Sequence, residues 1–293
     1  MISKFKNILF CYIMFAGLVS SAQTSIQIWG AHPVSNKQNR SQMIVFKAKE
    51  NPSGISVIIC PGGSYSYLDR KNEGTEVARW LNDNNITAFV LYYRVGMNGN
   101  QHPAMIQDLQ RAMQIVKENS HNYGIDPDKV GVMGFSAGGH LAGMAGTYFD
   151  TNFLEEFGIT PQVSMRPAFV TMIYPVVSMF NEDIVHQKSR KNLLSRKYSP
   201  ELAKKTSLEY NVSPDNPPVF LVHCVGDKVV NYLNSVKYAD ALTEKGVPHV
   251  IKLYDESGHG FGINPKKGKG AEQAPLWTQF FIPWLKEIMN VET

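Results

Sequence analysis

The sequence predicts an α/β fold, a mostly parallel sheet covered by helices on both faces. Three observations carry this. Short, almost continuous apolar runs alternate with stretches of helical period along most of the chain, the pattern of strand–helix–strand units whose strands are buried on both sides. Two of those runs pass directly into glycine-bearing turns, at Pro61-Gly62-Gly63 and at Gly134-Phe135-Ser136-Ala137-Gly138. The length, 293 residues of which 43% are hydrophobic, lets one domain bury a sizeable core.

In order, residues 1–22 carry Lys4 and Lys6, then an apolar run over 8–19, then Ser20-Ser21-Ala22, the layout of a secretory signal peptide. The run is shorter than the ~20 residues that span a bilayer, so this segment is set apart from the fold. Residues 23–293 are expected to form a single domain of an exported protein, periplasmic or secreted. Cys11 lies inside the apolar run, which argues against a lipoprotein signal. Without the two lysines, and with no acid lost, the formal charge of +4 becomes +2, which does not suit nucleic acid as a partner. Cys60 and Cys224 then remain, each ending an apolar run. Two cysteines make no disulfide framework, and both are expected as buried free thiols.

Residues 23–42 are polar and read as loop or edge strand. A short strand is expected at 43–46, a turn at 51–54, and a fully buried strand at 55–60 leading into Pro61-Gly62-Gly63-Ser64-Tyr65. Glycines there serve a tight turn and can also aim backbone N–H groups at a ligand. A helix at 73–82 presents Val77, Trp80 and Leu81 on one face, and a strand at 86–93 precedes Arg94. The helix at 103–119 repeats Met105, Ile106, Leu109, Ala112, Met113 and Val116 at the 3.6-residue period. Asp108 and Arg111, three apart on it, read as a surface or inter-loop ion pair. Asp126-Pro127 turns into the strand before Gly134. Further strands are expected at 167–174, 219–225 and 249–254, and helices at 232–245 and 273–289. Between them, 181–218 lacks a strand signal and carries Lys188, Arg190, Lys191, Arg196, Lys197, Lys204 and Lys205. It exceeds a usual βα connection and reads as a small helical insert over the site or as a solvated surface insert.

Gly134-Phe135-Ser136-Ala137-Gly138 has the form Gly-x-Ser-x-Gly. A serine at such a strand-to-helix turn has its hydroxyl lifted out of the sheet, and the helix that follows directs free N–H groups and its positive end at the site. Ser136 then requires a base, and the base an acid that fixes its tautomer. His140 lies inside a helix, His186 in the insert, and His223 and His249 within strands. His259, in the loop 257–262 just past a strand, is left as the base. Asp227 directly follows the strand before it in the sequence and is the expected acid. Asp255 is the competitor, set lower because it lies too close to His259 to orient it.

Taken together, Pro61-Gly-Gly-Ser-Tyr65, Tyr93-Arg94, Asp108, Gly134-Phe-Ser-Ala-Gly-Gly-His140, His223-Cys-Val-Gly-Asp227 and Gly258-His-Gly-Phe-Gly262 resemble the α/β-hydrolase superfamily. They resemble in particular its bacterial esterase/lipase branch of BD-FAE type, which contains acetylxylan and feruloyl esterases. The resemblance implies an eight-stranded, mostly parallel sheet, with Ser136 as nucleophile, His259 as general base and acid, and Asp227 as its orienting partner. It also implies an oxyanion hole built from the N–H groups of Gly63, Ser64 and Ala137. Ser64 departs from the related pattern, which has a third glycine there. The function expected is removal of short acyl groups, acetyl on xylan or a related hemicellulose first, through an acyl-enzyme and with no metal or cofactor. A feruloyl or other short-acyl esterase is the near alternative. A prolyl-oligopeptidase-like peptidase and a non-catalytic carbohydrate-binding protein are those of other classes. The partner is an acylated poly- or oligosaccharide; the sequence sets no oligomeric state. Tyr65, Tyr67 and Phe261 read either as aromatic faces at the rim for sugar rings or as plain structural groups.

Overall fold

The computed structural model describes residues 24–30, 41–51, 53–255, 258–264 and 276–291. The segment 1–22 read as a signal peptide lies outside them, as do residues 273–275 of the last expected helix. Eight strands, β1 Thr24–Gln27, β2 Gln42–Phe46, β3 Ser56–Cys60, β4 Thr87–Tyr92, β5 Val130–Phe135, β6 Val170–Ile173, β7 Val219–Cys224 and β8 His249–Tyr254, form one sheet. Its order is β1-β2-β4-β3-β5-β6-β7-β8. β1 pairs antiparallel with β2, as does β2 with β4, and every pairing from β4 through β8 is parallel. This is the eight-stranded α/β architecture expected, with 24–27 as its edge strand.

The helices are α1 Glu76–Asp83, α2 Ala104–Glu118, α3 Ser120–Tyr123, α4 Ala137–Thr147, α5 Gln187–Leu194, α6 Pro200–Lys205, α7 Leu233–Glu244 and α8 Trp277–Ile288. Alternate strand residues face opposite sides, which divides the core in two. Ile58, Cys60, Val130 and Val132 pack with Leu109 and Met113 of α2, Leu141 of α4, and Tyr238 and Leu242 of α7. Val57, Ile59, Met133 and Phe135 pack with Val77 and Leu81 of α1 and with Trp277, Phe281 and Trp284 of α8. Each such side chain contributes about 1.5–3 kcal/mol on full burial, so both helical layers are held chiefly by apolar contact. Cys60 and Cys224 are buried and not joined by a disulfide; β5 and β6 lie between their strands, a spread of about 14 Å at the usual strand spacing.

Two details differ from expectation. α1 is preceded by a π-turn, Lys71–Thr75, in which Thr75 N–H donates to Arg70 O at 2.9 Å; the wider turn leaves Asn72 and Glu73 buried. Asp108 pairs with neither solvent nor Arg111. It is fully buried and accepts from Trp29 Nε1 at 2.7 Å, Ser41 Oγ at 2.7 Å, and Arg94 backbone N–H and Nε at 2.7 and 3.0 Å. Arg94 Nη2 lies 2.9 Å from the same carboxylate. Arg111 instead donates to Ile28 O and Gln114 Oε1. The pair that forms links the end of β4 to α2, a contact between segments that spacing along α2 cannot register. Removing one member of a buried pair leaves the other charge uncompensated, a loss of about 3–5 kcal/mol. Asp108→Ala should therefore lower the unfolding free energy in urea by about that amount; a loss no larger than that of an exposed pair, under about 1 kcal/mol, would show that Asp108 does not anchor this end of the sheet.

Candidate active site

Ser136 stands between β5 and α4 with φ 52° and ψ −119°, a region that costs a non-glycine residue on the order of 1–3 kcal/mol. The backbone is held there from both sides: Ser136 N–H donates to Ile173 O at 2.9 Å and Val176 N–H to Ser136 O at 3.1 Å. The flanking glycines are set by contact. A Cβ on Gly138 would lie 2.0 Å from Cys60 O, and one on Gly134 would lie 1.9 Å from Gly138 O. Any side chain at either position would push α4 off the sheet. The serine itself is 5% exposed.

The three separated residues meet. Ser136 Oγ is 3.0 Å from His259 Nε2, and His259 Nδ1 is 2.7 Å from Asp227 Oδ2. A carboxylate only accepts, so Nδ1 carries the proton toward Asp227 and Nε2 is left to accept from the serine hydroxyl. Asp227 follows β7 in a tight turn, its N–H donating to Cys224 O at 3.1 Å. Its Oδ1 accepts from the N–H groups of Val229 and Val230 at 2.8 and 3.1 Å, and His223 Nε2 lies 3.3 Å from Oδ2. Burial pushes this carboxyl up, but the hydrogen bonds from His223 and His259, the charge of His259 and the Val229 N–H outweigh it and hold the group well below the usual carboxylate range. Asp255 is exposed at the end of β8 and makes no hydrogen bond to His259 among the described residues.

The glycine-rich loop lies beside the serine. Gly63, Ser64 and Tyr65 all have positive φ, at 136°, 56° and 56°, so three successive residues are turned into left-handed backbone. Side chains hold the strain in place: Tyr65 is fully buried, its hydroxyl 2.8 Å from His140 Nδ1, and Asn192 Nδ2 of α5 donates to Ser64 O at 2.7 Å. Gly62 N–H is taken by Glu73 Oε2 at 2.7 Å. Among the described residues, the N–H groups of Gly63, Ser64 and Ala137 donate to no protein acceptor. The serine at position 64 therefore keeps its N–H available. Donors of this kind suit a developing oxyanion.

Two other histidines are structural. His140 is fully buried, and its Nε2 lies 2.7 Å from Thr206 O. A carbonyl cannot donate, so Nε2 bears the hydrogen and Nδ1 accepts from Tyr65. Burial first, with the charge of His102, pushes its pKa down to about 4 against the pull of the Thr206 carbonyl. His223 is likewise pushed down by burial and bridges Ser235 Oγ and Val230 O. Tyr65 and Phe261, read as candidates for the rim, are both fully buried; of the three aromatics only Tyr67, 59% exposed, faces solvent. Among the described residues, no group of three or more His, Cys, Asp or Glu side chains is placed to hold a metal, and no helix is long and apolar enough to cross a membrane.

The BD-FAE family model matches residues 43–242. The chain belongs to the BD-FAE family. It is 33% identical over 228 residues to an acetylxylan esterase of Xylanibacter ruminicola, a match covering 76% of this chain and 44% of that protein. It is 31% identical over 209 residues to endo-1,4-beta-xylanase B of Butyrivibrio fibrisolvens, covering 71% of this chain and 32% of that protein. The chain thus spans less than half the length of these curated relatives. Among solved structures, an acetyl ester-xyloside bifunctional hydrolase from Caldicellulosiruptor lactoaceticus is 32% identical, with a TM-score of 0.81 over 92% of this chain and 98% of that one.

One group of this BD-FAE site has no signal in the sequence. Glu73 is 4% exposed, and its second oxygen, Oε1, accepts from Tyr174 OH at 2.8 Å. Its carboxyl is pushed up to about 7 by burial, against the Tyr174 hydroxyl, the charge of His259 and the Gly62 N–H. A carboxyl with a folded pKa above its unfolded value of 4.5 favours folding in its protonated form; that contribution is complete below about pH 4.5 and lost as pH rises through about 7. Asp227, shifted the other way, titrates below this window. His102, His140 and His223, all pushed down by burial, add stability over the same range in both proteins, so the difference carries the signal: the thermal midpoint of the native protein should fall relative to that of Glu73→Gln as pH rises from about 4.5 to about 7. Equal slopes in the two proteins would show that Glu73 ionises normally.

Proposed function

We propose that the chain is an exported serine carboxylester hydrolase that removes short acyl groups, acetyl first, from xylan or a related hemicellulose. The observation that carries the chemistry is the continuous hydrogen-bonded chain from Ser136 Oγ through His259 to Asp227, beside three N–H groups with no acceptor among the described residues. In this mechanism Ser136 Oγ bonds to the ester carbonyl carbon while His259 Nε2 takes its proton. The electron pair of the carbonyl moves onto its oxygen, which the N–H groups of Gly63, Ser64 and Ala137 receive. Collapse breaks the bond to the sugar oxygen, and His259 returns the proton to that oxygen. Water, deprotonated by the same imidazole, then attacks the acyl carbon; the bond to Ser136 Oγ breaks, His259 returns the proton to that oxygen, and the acid leaves. Asp227 keeps Nδ1 protonated and stabilises the imidazolium formed on the way.

The substrate half of the reading rests on different support. Relatives named acetylxylan esterase and xylanase share a third of their aligned residues with this chain. The signal-like segment 1–22 supports export. Lipases bury a fatty chain under an apolar lid, whereas the insert 181–218 exposes Lys188, Lys191, Arg196, Lys197, Lys204 and Lys205, which favours a polar substrate.

Ser136→Ala should lose on the order of 10⁶ in kcat, and Asp227→Asn on the order of 10⁴ by misplacing the imidazole tautomer. A full effect in Asp255→Asn with little in Asp227→Asn would reverse the acid assignment. Acetate should be released rapidly from acetylated xylo-oligosaccharides, and rates on p-nitrophenyl esters should fall steeply from acetate to octanoate. An optimum at octanoate, or turnover of methyl ferulate or aminoacyl-proline amides with no acetate from xylan, would overturn the substrate assignment.

A further inference from the structure

We propose that Glu73 is a positioning residue that locks the His259 loop and the glycine-rich loop 61–66 into one geometry; the inference rests on the ester-hydrolase reading of the site. The two loops come from opposite ends of the sequence and supply different parts of the chemistry, base on one and oxyanion donors on the other. The π-turn Lys71–Thr75 reaches both. Toward the glycine-rich loop, Glu73 Oε2 accepts from Gly62 N–H at 2.7 Å. Toward the histidine loop, Glu73 Oε1 accepts from Tyr174 OH at 2.8 Å, and Tyr174 OH accepts in turn from Gly262 N–H at 2.9 Å. The neighbouring Asn72 Nδ2 donates to Gly260 O at 2.7 Å. His259 is therefore bracketed: the next residue is held by Asn72, the third by Tyr174, and the Tyr174 ring lies 4.6 Å from the imidazole itself.

A filler of space is a poor account of this residue. A buried carboxyl is costly to desolvate, and an apolar side chain of the same volume packs at no such cost. Ionised, as in the assays below at pH 8, Glu73 aims two acceptor oxygens at donors on two separate loops and supplies what an apolar side chain cannot. Glutamine cannot either, because Gly62 N–H and Tyr174 OH face different oxygens and an amide puts an NH2, which only donates, in place of one of them. Glu73 contacts neither Ser136 nor His259 through a hydrogen bond, so its effect is on where the base and the donors stand relative to each other.

The test compares the full-length native protein with Glu73→Gln, Tyr174→Phe and the double variant. On p-nitrophenyl acetate at pH 8, each single variant should lower kcat by about 10²-fold, the scale of a displacement near 1 Å, with KM within about twofold of native. The double variant should be no worse than the poorer single one, because the residues act as one unit. A second readout needs no substrate. The low-field proton resonance of His259 Nδ1–H, bonded to Asp227, should shift or broaden in Glu73→Gln although neither bonded residue is altered. Tyr174→Phe leaves the Glu73–Gly62 bond in place and serves if Glu73→Gln fails to fold. Unchanged kcat in a folded variant, additive losses in the double variant, or an unmoved His259 resonance would overturn the proposal. If the native protein turns over no ester, the hydrolase reading falls, while the resonance still decides whether Glu73 positions His259.

Discussion

The site depends on one backbone conformation, the positive φ of Ser136 at the end of β5. That turn sends the chain from strand to helix within a single residue, which is possible only because α4 packs directly against β3 and β5 with glycine at both contacts. The close packing has a second effect. It brings the first N–H of α4, at Ala137, close to the loop that leaves β3, so N–H groups from two segments lie beside one serine. A looser turn would relieve the strain and separate the donors. Its persistence follows from the backbone bonds to Ile173 and Val176, which tie the serine to β6 on the far side.

Electrostatics then sorts chemically similar groups into different roles. Of the three histidines on the elements that build the site, His140 and His223 are fully buried, with each ring nitrogen matched to a carbonyl, carboxylate or hydroxyl. Only the His259 ring, with 14% of its side chain exposed, lies against the serine. The carboxyls divide in the same way. Asp227 faces two backbone N–H groups and two imidazoles and is held ionised, whereas Glu73 has two neutral donors and is pushed toward neutrality. Burial opposes ionisation in both; at Asp227 the hydrogen bonds and the charge of His259 outweigh it, and at the more deeply buried Glu73, with Asp69 nearby, they do not.

Much of this was legible in the sequence because it is local. Continuous apolar runs mark β3, β4, β5 and β7, the 3.6-residue period marks α2, and the elbow motif together with the order of acid and histidine singles out Ser136, Asp227 and His259. What escaped is non-local. Glu73 reads as an ordinary polar residue in the first turn of a helix; its burial follows from a π-turn and from loops at 62 and 262 that no spacing connects to it. Asp108 pairs across to Arg94, and not along its own helix to Arg111, for the same reason. Tyr65 looks like a rim aromatic beside the glycines, but its positive φ directs the ring inward onto His140.

The insert 181–218 combines both of its sequence readings, and the division falls along its two sides. Outward, its lysines and Arg196 are solvated; inward, Leu193 and Leu194 join the core, and Arg190 is buried against Glu182. The inner side also holds the glycine-rich loop: Asn192 binds Ser64 O, and Thr206 O fixes the tautomer of the His140 that in turn holds Tyr65. Each of these bonds opposes relaxation of a residue whose φ is otherwise unfavourable for its side chain. The strain in the loop is thus balanced by contacts from the insert, and Ser64 can hold its positive φ because Asn192 fixes its carbonyl, while its N–H meets no acceptor among the described residues.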